Sequence, residues 1–339
     1  METSVDPEEE LWKLAKELYD EDKLFQAARV VRNLRRIPVE ETVNGNSTAS
    51  NDDASLLRKS ILRIQKESEE CENFLSLILN DREWECLSKE SDRCRVYYNS
   101  KEGPRIHGFK IETEIDAPFL ATAALINEVD LLQELFWYVG SSQEIAKLSR
   151  CKKLLKSRFV TPWPFAPREA ILYGYAVDGL DEDQSVVVCF RSAKPEDFED
   201  NRYELFSADS KDAVRLDVKI GGIQFIPLER RKTLFRTAVF ADPQVPYIPT
   251  WLFHWVTKRV CIFGIHTFRK KAEQFSTLPH CQRVATDPFY VWVAQRIAKY
   301  WQEQKGFIEC TPESILEDSL NGSSVVKSYK KDGIVFSEF

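Results

Sequence analysis

The segment from Val214 to Ile220 carries the most regular pattern in the chain. Aliphatic residues alternate strictly with charged ones, in the order Val214, Arg215, Leu216, Asp217, Val218, Lys219, Ile220. Because successive side chains of a strand point to opposite faces of a sheet, this pattern predicts a strand with one apolar face and one wet face. Sheets with one wet face are typically antiparallel. The segment therefore favours an antiparallel sheet whose apolar face is covered by another layer.

Several other segments also predict strands. They are Cys94–Tyr98, Ile106–Ile115, about 153–160, Ala170–Val177, Ser185–Ser192 and Thr233–Phe240. In the segment 170–177, Leu172 shares one face with three small residues, Ala170, Gly174 and Ala176, which leave space beside the sheet. Apolar faces of this kind commonly belong to a filled core. The pattern alone therefore leaves a cavity and a packed core as alternatives.

Helical patterns flank the predicted strands. The segment 249–275 is apolar on nearly all sides in its first half, which is typical of a helix that lies inside a structure or on a membrane. Apolar residues between Leu57 and Ile78 recur at spacings of three and four, which indicates helix packing within the chain or dimerisation. An amphipathic helix is predicted at 287–304, with a loose tail after it.

These patterns divide the chain into five predicted parts. A helical segment, 1–37, is followed by a polar and flexible linker, 38–54, and by a long amphipathic helix, 55–83. The α+β part covers 84–275, and an extension with one helix covers 276–339. Both ends of the chain therefore add helices to a central domain.

Charge and cysteine usage exclude several function classes. The net charge is -7 at pH 7, so the overall field does not attract a nucleic acid and no such partner is expected. The acidic N-terminus lacks the apolar stretch of a signal peptide, and the eight cysteines are scattered, so we expect a cytoplasmic chain with reduced thiols. No P-loop, Gly-x-Ser-x-Gly or zinc-ligand spacing occurs. We expect no cofactor, no metal and no catalytic residue.

Four short motifs stand in a fixed order along the predicted domain. They are the proline-rich connection Pro162–Glu169, the pair Gly221-Gly222, the strand end Val239–Pro243 and the helix start Ile248–Leu252. Together they resemble the START domain, the helix-grip family of lipid-binding and lipid-transfer modules, over roughly Trp84–Phe275. In that family Trp-Pro-x-x-x-Arg-Asp precedes a central strand, and here Glu169 replaces the Asp. The resemblance implies an α+β fold in which a curved antiparallel sheet wraps a long C-terminal helix and leaves a cavity between them.

The resemblance also implies a lipid ligand in that cavity. The candidate lipid-binding residues are Arg168, Leu172, Gly174, Val214, Leu216, Val218, Ile220, Trp255 and Phe263. Arg168 is either a donor to a lipid phosphate or carboxylate, or a structural partner of an acid such as Glu169. Sterol-binding members carry a buried Arg in the strand after the Arg-Asp pair. The strand here has no basic residue, so a phospholipid or other acyl lipid is favoured over a sterol.

Contact with a membrane surface is a second implication. The candidates are Trp163, Phe165, Trp251, Lys258 and Arg259. Aromatic residues of this kind either anchor the core or sit at a headgroup layer, and both alternatives stay open here. The function that we expect is non-catalytic binding of a lipid, with transfer or sensing between membranes. The alternatives are a hydrophobic-pocket enzyme of the same superfamily, such as a cyclase or hydrolase, and a scaffold that binds a protein partner through its N-terminal helices.

Overall fold

The computed structural model describes residues 7–34, 48–91, 93–99, 105–161, 163, 165–198, 212–245, 250–307 and 309–320. Within these residues, ten strands form one sheet, and all its pairings are antiparallel except that of β8 with β6. The strands are β1 Glu85–Ser91, β2 Cys94–Asn99, β3 His107–Ile115, β4 Val139–Lys147, β5 Lys152–Phe159, β6 Arg168–Gly179, β7 Ser185–Ser192, β8 Val214–Arg215, β9 Asp217–Glu229 and β10 Lys232–Asp242. The order across the sheet is β1-β2-β3-β10-β9-β7-β6-β5-β4.

Helices cover both faces of the sheet. They are α1 Pro7–Asp20, α2 Leu24–Arg32, α3 Thr48–Leu79, α4 Phe119–Asn127, α5 Leu132–Leu135, α6 Thr250–Glu273, α7 Pro279–Thr286, α8 Pro288–Lys305 and α9 Pro312–Leu320. The ends of α8 follow from local chemistry. Asp287 accepts a hydrogen bond from the Phe289 amide at 2.8 Å, Pro288 stands at the first helical position, and Gly306 ends the helix with a φ of 73°.

One face of the sheet, which we call the inner face, packs against α4 to α9. Its core includes Leu120, Leu125, Phe225, Phe235, Phe268, Ile297, Trp301 and Leu316. The helix α6 lies against the inner face, as the helix-grip arrangement requires. The helices α7, α8 and α9 share this core, so residues 276–320 pack on the domain rather than extend away from it.

The opposite, outer face is covered by the N-terminal helices. Ile61, Ile64 and Phe74 of α3 are buried there, in one cluster with Tyr173, Val187 and Phe240 of the sheet. Gly222 makes this approach possible, since a Cβ at that position would lie 2.7 Å from the Phe74 ring. Most apolar residues of α3 are therefore covered within the chain, whereas Leu62 and Leu79 are exposed.

A buried polar cluster joins the same helices to the sheet. Glu67 of α3 pairs with Lys152 of β5 at 2.9 Å and accepts hydrogen bonds from Tyr19 at 2.8 Å and Tyr173 at 2.5 Å. Burial raises the pKa of both phenols, so both stay protonated and donate to the carboxylate. Burial also lowers the pKa of Lys152, against the opposing effect of Glu67. These contacts fix α1 and α3 on the outer face.

Three sequence expectations differ from the structure. The segment before Trp163 holds two strands, β4 and β5, where one strand from about Lys153 was expected. Residues 48–54, predicted as linker, belong to α3, and the rest of the predicted linker lies outside the described residues. The extension predicted to carry one helix carries α7, α8 and α9. The division of the chain into five parts otherwise stays a prediction.

The side chain of His280 in α7 makes the stability of this fold sensitive to pH. It is 0% exposed, and neither ring nitrogen has a hydrogen-bond partner among the described residues. Burial lowers its pKa from 6.5 to about 4. In the unfolded chain, the His280 imidazole therefore binds a proton below about pH 6.5, whereas in the folded chain it does so only below about pH 4. The free energy of unfolding therefore decreases as the pH falls from about 6.5 to about 4.

We expect His280→Phe to remove this dependence. The loss in the wild type between pH 6.5 and 4 amounts to on the order of 3 kcal/mol, because one pKa unit corresponds to about 1.4 kcal/mol. Denaturant unfolding of both proteins across this range measures it, and the difference between them isolates His280 from other titrating groups. Parallel pH profiles would contradict the prediction.

Candidate functional site

A cavity of 640 Å³ lies between the inner face of the sheet and α6. This volume falls within the range of about 300–1,000 Å³ that is common for small-molecule sites. Nearly all of its surface is apolar. The cavity is therefore suited to a hydrophobic ligand rather than to a polar metabolite.

The sheet supplies one wall, largely through alternate residues of its strands. They include Leu155 and Phe159 of β5, Leu172, Gly174 and Ala176 of β6, Val186, Val188 and Phe190 of β7, Ile223 and Phe225 of β9, and Phe235 and Val239 of β10. Gly174 faces Lys153 across β5 and Phe190 across β7. A Cβ at Gly174 would lie 3.7 Å from the nearest atoms, an ordinary van der Waals contact, so a side chain can be placed here without a clash at its Cβ.

The helix α6 supplies the facing wall through one stripe. Its lining residues are Val256, Thr257, Val260, Cys261, Gly264, Ile265 and Phe268, at the three- and four-residue spacings of one helix face. The opposite face of α6 carries three exposed aromatic residues, Trp251, Trp255 and Phe263. The helix α6 therefore has two apolar surfaces, one that lines the cavity and one that is exposed on the outside of the protein.

The two terminal regions close one end of the cavity. Asp22, in the turn between α1 and α2, lines it together with Phe289, Trp292 and Arg296 of α8. Arg296 forms ion pairs with Asp178 and, at 2.8 Å, with Asp181. Arg150 pairs with Asp22 at 2.9 Å, and its guanidinium lies 3.8 Å from the centre of the Trp292 ring. Residues outside the predicted domain thus form part of the cavity.

The structure brings together four of the predicted lipid-binding residues and separates the other five. Leu172, Gly174, Leu216 and Val218 line the cavity. Arg168, Val214, Ile220, Trp255 and Phe263 do not line it. Trp255 is 57% exposed and Phe263 is 56% exposed, because both lie on the outward face of α6. Their placement in the cavity was wrong.

A β-bulge explains the position of Ile220. Val218 pairs with Ala241 and Ile220 pairs with Phe240, which leaves Lys219 as an extra residue on β9. A bulge of this kind reverses the side-chain parity of the strand beyond it. The cavity is therefore lined by Val218 before the bulge and by Ile223 and Phe225 after it, whereas Ile220 packs on the outer face.

Arg168 holds backbone in place. It is 6% exposed, its Nε donates to the Pro243 carbonyl at 2.6 Å, and its Nη1 donates to the Ala166 carbonyl. Burial lowers its pKa. Glu169 pairs instead with Lys156 and Arg215, at 3.3 Å and 3.2 Å. Both alternatives considered for Arg168 are thus replaced by a third, in which it ties the proline-rich connection to the end of β10.

The candidate membrane-contact residues lie on the surface. Trp163 is 92% exposed, which excludes the alternative that it anchors the core, and Trp251 is 69% exposed. Phe165 is 38% exposed, and its carbonyl accepts a hydrogen bond from the Thr161 hydroxyl at 2.9 Å. Lys258 and Arg259 are exposed, and Arg259 stacks on Trp255. No helix in the described part of the chain is both long and apolar enough to cross a bilayer.

Sequence reasoning missed the polar residues of the cavity wall, among them Tyr138, Lys153 and Arg296. Lys153 donates to the Asn127 side chain at 3.1 Å and pairs with Glu144 at 3.3 Å. The amphipathic pattern of 287–304 predicted the helix α8. That pattern does not indicate which part of the fold α8 packs against. Burial raises the pKa of the Tyr138 phenol.

Comparison with solved structures finds the same fold in two human proteins. The chain matches human STARD10 with a TM-score of 0.53 and 14% identity, over 76% of this chain and 91% of that one. It matches human StAR-related lipid transfer protein 5 with a TM-score of 0.52 and 15% identity, over 62% of this chain and 96% of that one. No protein-family profile and no curated protein sequence matches. The chain therefore has a START-like helix-grip fold.

Proposed function

We propose that the chain binds a hydrophobic lipid in the cavity under α6 without changing it chemically. The bound lipid is then either carried from one membrane to another or sensed by the protein. The observation that carries this proposal is the 640 Å³ apolar cavity enclosed by a START-like fold. Burying about 15 methylenes contributes on the order of 12 kcal/mol, which offsets most of the cost of taking an acyl chain out of a bilayer. A phospholipid or other acyl lipid is favoured over a sterol.

Two further observations support a lipid role. One of the matching structures is by name a lipid transfer protein. Exposed Trp251 and Trp255 stand beside Lys258 and Arg259 on α6, the combination of aromatic and basic residues that favours the surface of an anionic membrane. We propose a cytoplasmic protein that contacts membranes peripherally.

Vesicle-to-vesicle transfer tests the proposal. Donor vesicles carry self-quenched pyrene-labelled phosphatidylcholine, acceptor vesicles contain phosphatidylserine, and the loss of excimer emission reports transfer. We expect a rate that rises in proportion to protein concentration, with the labelled lipid recovered unchanged. Recovery of a chemically altered lipid would favour the enzyme alternative. If the protein neither bound nor transferred the lipid, the remaining alternative would be a scaffold that binds a protein partner through its N-terminal helices.

The membrane-contact residues give a separate prediction. We expect the double variant Trp163→Ala, Trp251→Ala to transfer lipid about tenfold more slowly or worse, because both side chains are candidates for membrane contact. Its lipid affinity in the absence of vesicles should stay within twofold of the wild type, because neither side chain lines the cavity. The matched control is Trp12→Ala, since Trp12 lies on α1 in contact with the outer-face core. An equal loss of binding and transfer in the double variant would contradict a role at the membrane.

A further inference from the structure

Tyr138 differs from the other tyrosines of the cavity wall. Four tyrosines line the cavity: Tyr98, Tyr138, Tyr175 and Tyr290. The hydroxyls of the other three bond to protein groups, namely His107 at 2.6 Å, the Glu67 carbonyl at 2.9 Å and the Glu128 carboxylate. The Tyr138 hydroxyl has no hydrogen-bond partner among the described residues. Tyr138 is half-buried and lines the cavity, so its hydroxyl is available to a ligand.

The α6 helix leaves room in front of that hydroxyl. Gly264 stands in the interior of α6, where a glycine is less favourable than an alanine. A Cβ at this position would lie 3.5 Å from the Tyr138 Oη. An alanine methyl group at this position would therefore touch the hydroxyl and narrow the space in front of it, whereas glycine leaves that space at the expense of helix stability.

The charges around the cavity decide what this hydroxyl can bind. The charged residues that line the wall each face an opposite charge: Asp22 faces Arg150, Lys153 faces Glu144, and Asp178 faces Arg296. Arg296 also pairs with Asp181, so two carboxylates balance its charge, although its Nη1 has no hydrogen-bond partner among the described residues. A phosphate or carboxylate brought to Tyr138 would therefore meet no spare cation among the described lining residues, and burying it would be costly. An uncharged oxygen needs only the hydrogen bond.

We propose that Tyr138 and Gly264 form a polar subsite that hydrogen-bonds an uncharged oxygen of the lipid, such as a hydroxyl or an ester or amide carbonyl. This inference rests on the proposed function and narrows it. The ligand class is a neutral acyl lipid, or the uncharged linkage region of a larger lipid, with its chain in the apolar part of the cavity.

Displacement of a bound hydrocarbon fluorophore, diphenylhexatriene, tests the subsite. The competitors are tetradecane, 1-tetradecanol and tetradecanoate at pH 7.4, which share one chain. We expect Tyr138→Phe to weaken the alcohol about two- to tenfold, the factor for one neutral hydrogen bond, and to leave the alkane within twofold. Tyr98→Phe is the matched control, because its hydroxyl already has a partner, and it should leave the ratio of alcohol to alkane unchanged.

A second variant uses the glycine. Gly264→Ala should raise the melting temperature, as alanine favours the helix, and should weaken the alcohol relative to the alkane by placing a methyl group against the hydroxyl. An unchanged alcohol-to-alkane ratio in Tyr138→Phe would overturn the subsite. A larger loss for tetradecanoate than for the alcohol would overturn its preference for an uncharged oxygen. If wild-type protein bound neither fluorophore nor competitors, the proposed function itself would fail.

Discussion

Replacing Glu67 with alanine is expected to lower the free energy of unfolding by about 3–5 kcal/mol, the usual cost of removing one partner from a buried ion pair. Glu67 is 2% exposed and accepts from Tyr19, Lys152 and Tyr173. Its loss leaves the Lys152 ammonium and two phenols without their acceptor in the layer between α3 and the sheet. Denaturant titration measures the change.

The neighbouring Glu69 provides the control, because it lies on the exposed side of the same helix. Glu69→Ala should change stability by less than about 0.5 kcal/mol. The double variant Glu67→Leu with Lys152→Leu should recover most of the loss, since it removes both charges together. Small and equal effects of Glu67→Ala and Glu69→Ala would mean that the N-terminal helices are not docked on the outer face.

Replacing Gly174 with phenylalanine is expected to reduce lipid affinity by more than tenfold while the protein stays folded. The position lines the cavity, and a Cβ there meets its nearest neighbours at an ordinary 3.7 Å. A benzyl group would therefore occupy ligand space. Overpacking a filled core costs about 1–3 kcal/mol, whereas filling a void costs less or stabilises. Thermal unfolding and lipid titration of the same variant separate these outcomes.

Gly174→Ala is the matched control, because its methyl group removes little volume and should leave most binding intact. Marked destabilisation by Gly174→Ala would show that the wall is already packed at this point. A folded Gly174→Phe protein that takes up a long-chain lipid as well as the wild type does would contradict the placement of the ligand.

The α+β class and most strands of the central sheet could be predicted from the sequence because local patterns encode them. The alternation around Val218 and the small residues around Gly174 gave the correct faces near the cavity. The strand β4 was missed because it is an edge strand with exposed polar residues, so it lacks the apolar alternation that marks a half-buried strand. Ile220 was assigned to the wrong face because one extra residue, Lys219, reverses the parity, and a bulge leaves no clear signal in a single sequence.

Long-range contacts explain the remaining differences at the site. Arg168 belongs to the motif that resembles the START pattern, but its acceptors are the backbone carbonyls of Ala166 and Pro243, which no side-chain pattern reports. The α8 helix was predicted as amphipathic. The surface that its apolar side covers depends on long-range packing, which the sequence pattern does not report. The sequence therefore did not predict that Arg296 and Trp292 line the cavity.

Native mass spectrometry of the purified protein tests the central claim, that the cavity under α6 holds a lipid, most directly. Wild-type protein, kept in its folded state, should carry one or more adducts with the masses of acyl lipids, and organic extraction should release those lipids intact. Gly174→Phe protein prepared in parallel should show the mass of the bare chain. Wild-type protein without any lipid adduct, or a folded Gly174→Phe protein with the same adducts, would contradict the account.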